Sequence, residues 1–145
     1  MTDTFSKEQR RKTMQAIKSE RTKLEEKITN ALWRKGFRFR KNVKTLKGKP
    51  DIAIKKYKVV IFLDSCFWHG CKKHCRYPST NREYWHSKIN RNMQRDKEVT
   101  DYYLNNDWNI LRIWEHDIKE NFDESIDRIK QIILKSKEVD NIKEE

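Results

Sequence analysis

The sequence is poor in residues that make a chain flexible or link it by disulfides. Its 145 residues include three glycines, two prolines and three cysteines. So few glycines and prolines leave little room for a flexible linker, and the length favours one domain around one core. The cysteines are odd in number and lie within ten residues of one another. This clustering argues against a disulfide framework.

Long apolar runs are also missing. No run approaches the roughly 20 apolar residues that cross a bilayer, and no basic helix with a broad apolar face suggests binding to a membrane surface. The chain starts with Met1-Thr2-Asp3-Thr4 and passes directly into charged residues, which is unlike a signal peptide. We therefore expect a cytoplasmic protein with no membrane partner.

Positive charge is abundant and unevenly distributed. Lysine and arginine number 34 against 22 acidic residues, which gives a net charge of +12, and residues 1–114 alone carry +16. A field of this sign attracts polyanions, of which nucleic acid is the commonest. Hydrophobic residues make up 35% of the chain, but 11% of its residues are aromatic. Because each large ring buries much area, a compact core is feasible.

Hydrophobic periodicity predicts an α/β fold with a mixed sheet flanked by helices. The helices are expected at residues 6–19, from Thr22 to Gly36, at 82–105 and at 122–135. The strands are expected at residues 37–40, 51–54, 57–63 and 108–114. Residues 1–136 would form one domain, with an irregular loop at 64–80. The charged tail 137–145 is expected to fray.

A cluster of thiols and imidazoles suggests a metal site in that loop. Cys66, Cys71 and Cys75 fall within ten residues, with histidines between them. Three thiols suit tetrahedral zinc, and closed four-ligand sites are structural. The fourth ligand would be His69, His74, His86 or His116. The alternative is three free, buried thiols beside surface histidines.

Acidic residues mark a second candidate site. Asp51 follows Pro50 at the start of one strand, Asp64 ends the next, and Glu25 lies on the preceding helix. Adjacent strands joined by a tight turn bring such carboxylates together. Carboxylate oxygens bind magnesium, which activates water and neutralises charge on a phosphate. Alternatively, Glu25 is a capping-box residue and Asp64 a turn residue.

Three aromatic residues occur in polar surroundings. Phe67 and Trp68 adjoin each other in the cysteine-containing loop, and Trp85 follows a cluster of arginine and tyrosine. Apolar side chains of this kind can wedge between base pairs and unstack them. The alternative for each of the three is ordinary core packing.

Taken together, these residues resemble the very short patch repair endonucleases, the Vsr family. The resemblance spans roughly residues 6–120 in the family's order. The stretches that carry it are Met14-Gln15-Ala16-Ile17, Gly48-Lys49-Pro50-Asp51, Cys66-Phe67-Trp68-His69-Gly70-Cys71, Asn81-Arg82-Glu83-Tyr84-Trp85, Asn92 to Asp96, and Trp108 to Glu115.

The resemblance implies a fold like that of type II restriction endonucleases and magnesium-dependent hydrolysis of DNA. It implies nicking of one strand of duplex DNA, 5′ to the thymine of a T:G mismatch left by deaminated 5-methylcytosine. The functional partner would then be a DNA cytosine-5 methyltransferase, and a monomer suffices because a mismatch is asymmetric. The alternatives are a double-strand endonuclease of the same fold and a zinc-stabilised, non-catalytic DNA-binding module.

The resemblance also assigns residues to roles. Asp51 and the backbone carbonyl of Leu63 resemble the magnesium ligands, His69 the catalytic histidine, and Glu25 a supporting acid. The remaining assignments are zinc ligands and DNA contacts. Zinc would be held by Cys66, Cys71, Cys75 and His116, the DNA wedge would comprise Phe67, Trp68 and Trp85, and the N-terminal helix (residues 1–20) would contact the minor groove through Met14 and Ile17.

The sequence departs from the family's pattern at two places. Position 64 is Asp here, where some members have His. The carboxylate of Asp64 could therefore bind the metal ion directly. The proton-transfer role that the resemblance assigns to His69 would then be open to revision. The length of the cysteine-containing loop also varies in the family, which leaves His74 as the alternative to Cys71.

Overall fold

The structure is a computed structural model that describes residues 7–65 and 82–144. Within these ranges it forms a four-stranded sheet with helices on both faces. The strands are β1 (Arg40–Lys41), β2 (Ile52–Ile54), β3 (Val59–Asp64) and β4 (Asn109–Trp114). The helices are α1 (Lys7–Arg34), α2 (Arg82–Asn105), α3 (Glu115–Glu120) and α4 (Phe122–Glu144), with a 3₁₀ helix at Lys55–Tyr57.

The sheet is mixed, as the sequence predicts. Its strand order is β1-β2-β3-β4. The pairs β1–β2 and β2–β3 are antiparallel, whereas β3 and β4 are parallel, with Asp64 opposite Trp114. A parallel pair needs a long crossover, and the segment between these two strands contains α2. The predicted α/β class is therefore confirmed.

Two hydrophobic clusters cover opposite faces of the sheet. On one face, Ile61 and Ile113 pack with apolar residues of α1, α3 and α4. On the other, Val60 and Phe62 pack with Val99 and Tyr103 of α2. Because side chains alternate along a strand, successive residues of β3 contribute to different clusters. This explains why β3 is buried along its whole length.

The first helix is continuous, whereas the sequence predicts two. Helix α1 runs for 28 residues and passes without a break through the capping box Thr22-Lys23-Leu24-Glu25, where the sequence predicts a second helix to begin. Neither glycine nor proline occurs between Lys7 and Arg34. A capping box is a local signal for the start of a helix. Because no helix breaker precedes this one, the first helix continues through it. Glu25 therefore lies in the middle of a long helix.

The end of α1 displaces most of the predicted strand 37–40. Gly36 has φ +96°, its N–H donates to the Trp33 carbonyl, and the Phe37 N–H donates to the Leu32 carbonyl. These are the two hydrogen bonds of a Schellman motif, which requires a left-handed residue after the helix. Phe37 therefore takes part in the helix cap through its N–H and packs in the hydrophobic core through its side chain. The strand is reduced to Arg40–Lys41.

The C-terminal region contains more helix than the sequence predicts. The helix predicted at 82–105 and the strand at 108–114 are observed as α2 and β4. Helix α3 was not predicted, because six residues are too few for a periodic pattern; it buries Ile118. Helix α4 continues to Glu144 through the segment expected to fray. Within the described ranges, no helix is sufficiently long and apolar to cross a membrane.

Candidate active site

Asp51 is anchored between two strands. It immediately precedes β2 and is 1% exposed. Its Oδ2 accepts a hydrogen bond of 2.7 Å from the Leu63 backbone N–H on β3. A buried carboxylate held by a backbone donor has a fixed orientation. A hydrogen bond therefore connects Asp51 and Leu63, the two residues that the resemblance assigns to magnesium.

Asp64 is paired with an arginine that sequence reasoning missed. Arg112 Nη1 lies 3.0 Å from Asp64 Oδ1 and 3.3 Å from Oδ2. Both residues project from the sheet on the face that carries Phe62 and Ile110, because β3 and β4 are parallel and in register. Asp64 is buried, and the Arg112 side chain is 20% exposed. The pair is thus a charge pair at the end of β3.

Several further contacts fix the Arg112 guanidinium. Its Nε donates to Thr100 Oγ1 at 2.8 Å, and Nη2 donates to the Asp96 carbonyl at 3.2 Å. The guanidinium carbon also lies 4.3 Å from the centre of the Phe62 ring, within cation–π range. A planar group held on three sides is preorganised. Arg112 therefore presents a fixed positive charge.

These residues meet in one cleft of about 470 Å³. Its walls include the three acids predicted from sequence, from α1, the start of β2 and the end of β3. Three basic residues face the same space. The charged lining residues are Glu25, Asp51, Asp64, Asp96, Lys49, Arg95 and Arg112. A cleft with both signs of charge can hold a cation through its acids and a phosphate through its bases.

Helix α2 supplies one wall that sequence reasoning did not assign. Asn92, Arg95, Asp96 and Val99 line the cleft at helical spacing. The stretches Asn92 to Asp96 and Trp108 to Glu115 were already part of the resemblance, but no role was attached to them. A second signal was available at Arg112, which is a charged residue at an inward position of an alternating strand.

The donor set of the cleft fits magnesium. In residues 7–65 and 82–144, no group of three His, Cys, Asp or Glu side chains is gathered closely enough to hold a metal ion. Magnesium does not need such a cage, because it retains several waters and binds through one or two carboxylates. The carboxylates of Glu25, Asp51 and Asp64, which line the cleft, are hard oxygen donors of this kind.

The predicted zinc site falls mostly outside the described residues. Cys66, Cys71, Cys75 and the alternative ligands His69 and His74 belong to the segment 66–81. His116, the fourth predicted ligand, lies in α3, where its Nε2 is 3.3 Å from Asp117 Oδ1 and its ring stacks on Trp114. His86, the other alternative, is exposed on α2, 3.0 Å from the Asn90 side-chain amide. The zinc site stays a prediction.

The predicted DNA contacts are described in part. Phe67, Trp68 and the catalytic candidate His69 lie outside the described residues, as does the side chain of Ile17. Met14 is half-buried on α1. Trp85 is fully buried, with its ring 5.0 Å from that of Tyr84. Because its burial agrees with core packing, insertion of Trp85 between base pairs would require it to leave this position.

Comparison with known proteins gives a consistent result. Residues 2–77 match the protein family described as DNA mismatch endonuclease Vsr. The type II nicking enzyme V.NmeDIP of Neisseria meningitidis serogroup C is 41% identical over 133 residues, covering 90% of each chain. The type II nicking enzyme V.HpaIIP of Haemophilus parainfluenzae is 43% identical over 122 residues, covering 82% of this chain and 86% of the relative.

A relative named for mismatch cleavage is also similar. The DNA mismatch endonuclease Vsr of Escherichia coli (strain K12) is 35% identical over 118 residues, covering 79% of this chain and 74% of the relative. The family match spans more than half of the sequence, and it includes Asp51 and the cysteine cluster. The chain therefore belongs to the DNA mismatch endonuclease Vsr family.

Proposed function

We propose that this DNA endonuclease nicks one strand of a duplex, 5′ to the thymine of a T:G mismatch, in a magnesium-dependent reaction on a restriction-endonuclease-like fold. The observation that carries the proposal is the cleft in which Asp51 is fixed against β3, beside Asp64 and Glu25. The names of the relatives, a DNA mismatch endonuclease and type II nicking enzymes, support mismatch recognition and nicking.

The cleft residues divide the chemistry of phosphodiester hydrolysis between them. Asp51 and the Leu63 carbonyl would hold magnesium, which when bound activates water and offsets charge on the phosphate. Glu25, which lines the cleft from α1, would act as a supporting acid that orients water. Arg95 and Arg112 would supply positive charge for the oxygens of the phosphate that is cut. His69 orients the attacking water or transfers a proton.

A nicking assay tests this function directly. Duplexes labelled on either strand and carrying T:G, U:G or C:G at a methylation site are incubated with the protein, with and without magnesium. We expect cleavage of the thymine strand of the T:G duplex, only when magnesium is present. Cleavage of both strands would instead indicate a conventional double-strand endonuclease. Binding without any cleavage would indicate a non-catalytic DNA-binding module.

We further propose that a structural zinc ion stabilises the fold, held by Cys66, Cys71, Cys75 and His116. Metal analysis of the purified protein should then find one zinc per chain. Chelation or Cys66→Ala should lower the melting temperature, because the free energy of binding a structural metal is part of the free energy of folding. Finding no zinc in folded, active protein would refute this proposal.

The biological setting follows from the substrate. A T:G mismatch arises when a 5-methylcytosine loses its amino group, so the nicking activity would accompany a DNA cytosine-5 methyltransferase in the cytoplasm. A monomer suffices for the reaction, because a single T:G pair offers one strand to cut.

A further inference from the structure

The segment between β1 and β2 is an ordered hairpin loop, which we call the basic loop (residues 42–50). At its base, the Asn42 N–H donates to the Asp51 carbonyl at 3.1 Å, and the Val43 N–H donates to the Pro50 carbonyl at 3.2 Å. Inside it, the Lys49 N–H donates to the Leu46 carbonyl at 3.1 Å. The loop therefore ends directly at the catalytic candidate Asp51.

The inner side of the basic loop is packed against α2 and the sheet. Val43 and Leu46 contact the cluster that includes Val99 and Tyr103. Gly48 lies so close to α2 that a Cβ there would be 2.6 Å from a methyl group of Val99. Close packing on this side prevents the loop from moving as a flexible tip would.

A buried tyrosine also ties the loop to α2. The Tyr103 hydroxyl donates a hydrogen bond of 2.5 Å to the Lys47 carbonyl. Burial, together with the neighbouring Tyr102, raises the pKa of Tyr103 from 10.0 to about 12. Tyr103 therefore remains a protonated donor throughout the range in which the protein would be assayed, and the tether does not change with pH there.

The outer side of the loop carries three lysines and no acidic residue. Lys44, Lys47 and Lys49 are exposed, in alternation with the inward residues. The surrounding segment 34–58 contains eleven lysines and arginines, and its one acidic residue is the buried Asp51. The segment by itself therefore carries a net charge of +10, from eleven basic residues and one acid.

Lys49 connects this charged surface to the cleft. It lies at the cleft wall and has φ +52°, a left-handed conformation that residues other than glycine adopt at some energetic cost. Strain of this kind persists where the surrounding structure imposes it, frequently at functional sites. At Lys49 the constraint is local, because its N–H donates a hydrogen bond to the Leu46 carbonyl and Pro50 follows it in the chain.

We propose that the basic loop is a preorganised contact for the phosphate backbone of the duplex that flanks the bond to be cut, with Lys44, Lys47 and Lys49 as the phosphate ligands. The proposal rests on the proposed function, since it places DNA across the cleft. Duplex DNA has one negative charge per ~1.7 Å of its axis, so a rigid row of cations beside the cleft meets several phosphates. Because the loop is already ordered, binding would cost little conformational entropy.

The salt dependence of DNA binding tests this contact. The variant Lys44→Gln/Lys47→Gln/Lys49→Gln is compared with Arg128→Gln/Lys130→Gln/Lys135→Gln on α4, which removes the same charge from a helix on the other face of the sheet. Each phosphate contact contributes ~0.9 to the slope of log K against log salt, or on the order of eightfold in affinity at 0.1 M salt. We expect the slope to fall by about 2.7 in the loop variant, equally for T:G and C:G duplexes.

The controls separate this proposal from the proposed function. Binding is measured in the absence of magnesium, and a melting curve confirms that each variant is folded. The basic loop is not a specific phosphate contact if both variants retain the salt slope of the unsubstituted protein, or if the slope falls equally in both. This conclusion holds even when the unsubstituted protein nicks T:G duplexes. If the slope falls in the loop variant while the unsubstituted protein fails to nick, the loop contact stands and the proposed reaction is wrong.

A second variant tests the preorganisation of the loop. Tyr103→Phe keeps all three lysines and removes the hydroxyl that ties the loop to α2. We expect it to weaken DNA binding severalfold with an unchanged salt slope, because the charges remain but must be ordered on binding. Unchanged affinity in this variant would show that the tether is irrelevant to DNA binding and would overturn the preorganised part of the proposal.

Discussion

Asp51→Asn is expected to abolish nicking of a T:G duplex, with a loss on the order of a thousandfold or more in the single-turnover rate, because a bound metal contributes several kcal/mol of transition-state stabilisation. Asparagine retains the shape of Asp51 and an oxygen that accepts the Leu63 N–H, but it removes the charge that would hold magnesium. Binding to the duplex should persist or tighten, since one negative charge near the phosphates is lost.

The measurement is single-turnover nicking at saturating protein, with DNA binding measured in parallel. Asp127→Asn is a matched control, because Asp127 is an exposed acid on α4, remote from the residues that line the cleft. Cleavage by Asp51→Asn at the unsubstituted rate would show that the active site has been placed wrongly. A joint loss of cleavage, binding and thermal stability would assign Asp51 a structural role instead.

Arg112→Met is expected to lower the free energy of unfolding by about 3 kcal/mol, because it deletes the ion pair that offsets the cost of burying the Asp64 carboxylate. Asp64 is the buried member here. Methionine preserves much of the contact with Phe62 while deleting the charge. Urea unfolding measures the change, and the double variant Arg112→Met/Asp64→Asn should recover most of the lost stability.

The same variants assign a role to Asp64. If the double variant is as unstable as Arg112→Met alone, the loss arises from the contacts of Arg112 with Thr100 and Asp96 rather than from the charge pair. In the nicking assay, a loss in Asp64→Asn comparable with that of Asp51→Asn would make Asp64 a metal ligand. A small loss would mean that Asp64 mainly fixes Arg112.

The acids of the cleft could be predicted from sequence because the signal for them is local. Pro50-Asp51 precedes one apolar strand and Asp64 ends the next, with a short turn between, so that antiparallel pairing brings them to one place. Glu25 was included because it lies on the helix that precedes these strands, and the resemblance to the family added its supporting role. Its position on α1 relative to the sheet depends on packing that no local pattern specifies.

Arg112 could not be placed in the same way. Its contact with Asp64 depends on the parallel pairing of β3 with β4, and these strands are separated in sequence by the whole of α2. A single sequence does not reveal which strands are neighbours across such a crossover. The conformation of the basic loop likewise derives from packing on Tyr103 and Val99, which no local pattern in residues 42–50 reveals.

The uninterrupted course of α1 links two distant regions mechanically. Met14 and Glu25 are eleven residues apart on one helix, which corresponds to ~16 Å along its axis and to about three complete turns, so both project from nearly the same side. With 3.4 Å between successive nucleotides of a strand, this distance matches about five base-pair steps along a duplex lying beside the helix. A rigid rod of this kind would transmit any tilt of its N-terminal part, where the minor-groove contact is predicted, to the position of the Glu25 carboxylate in the cleft.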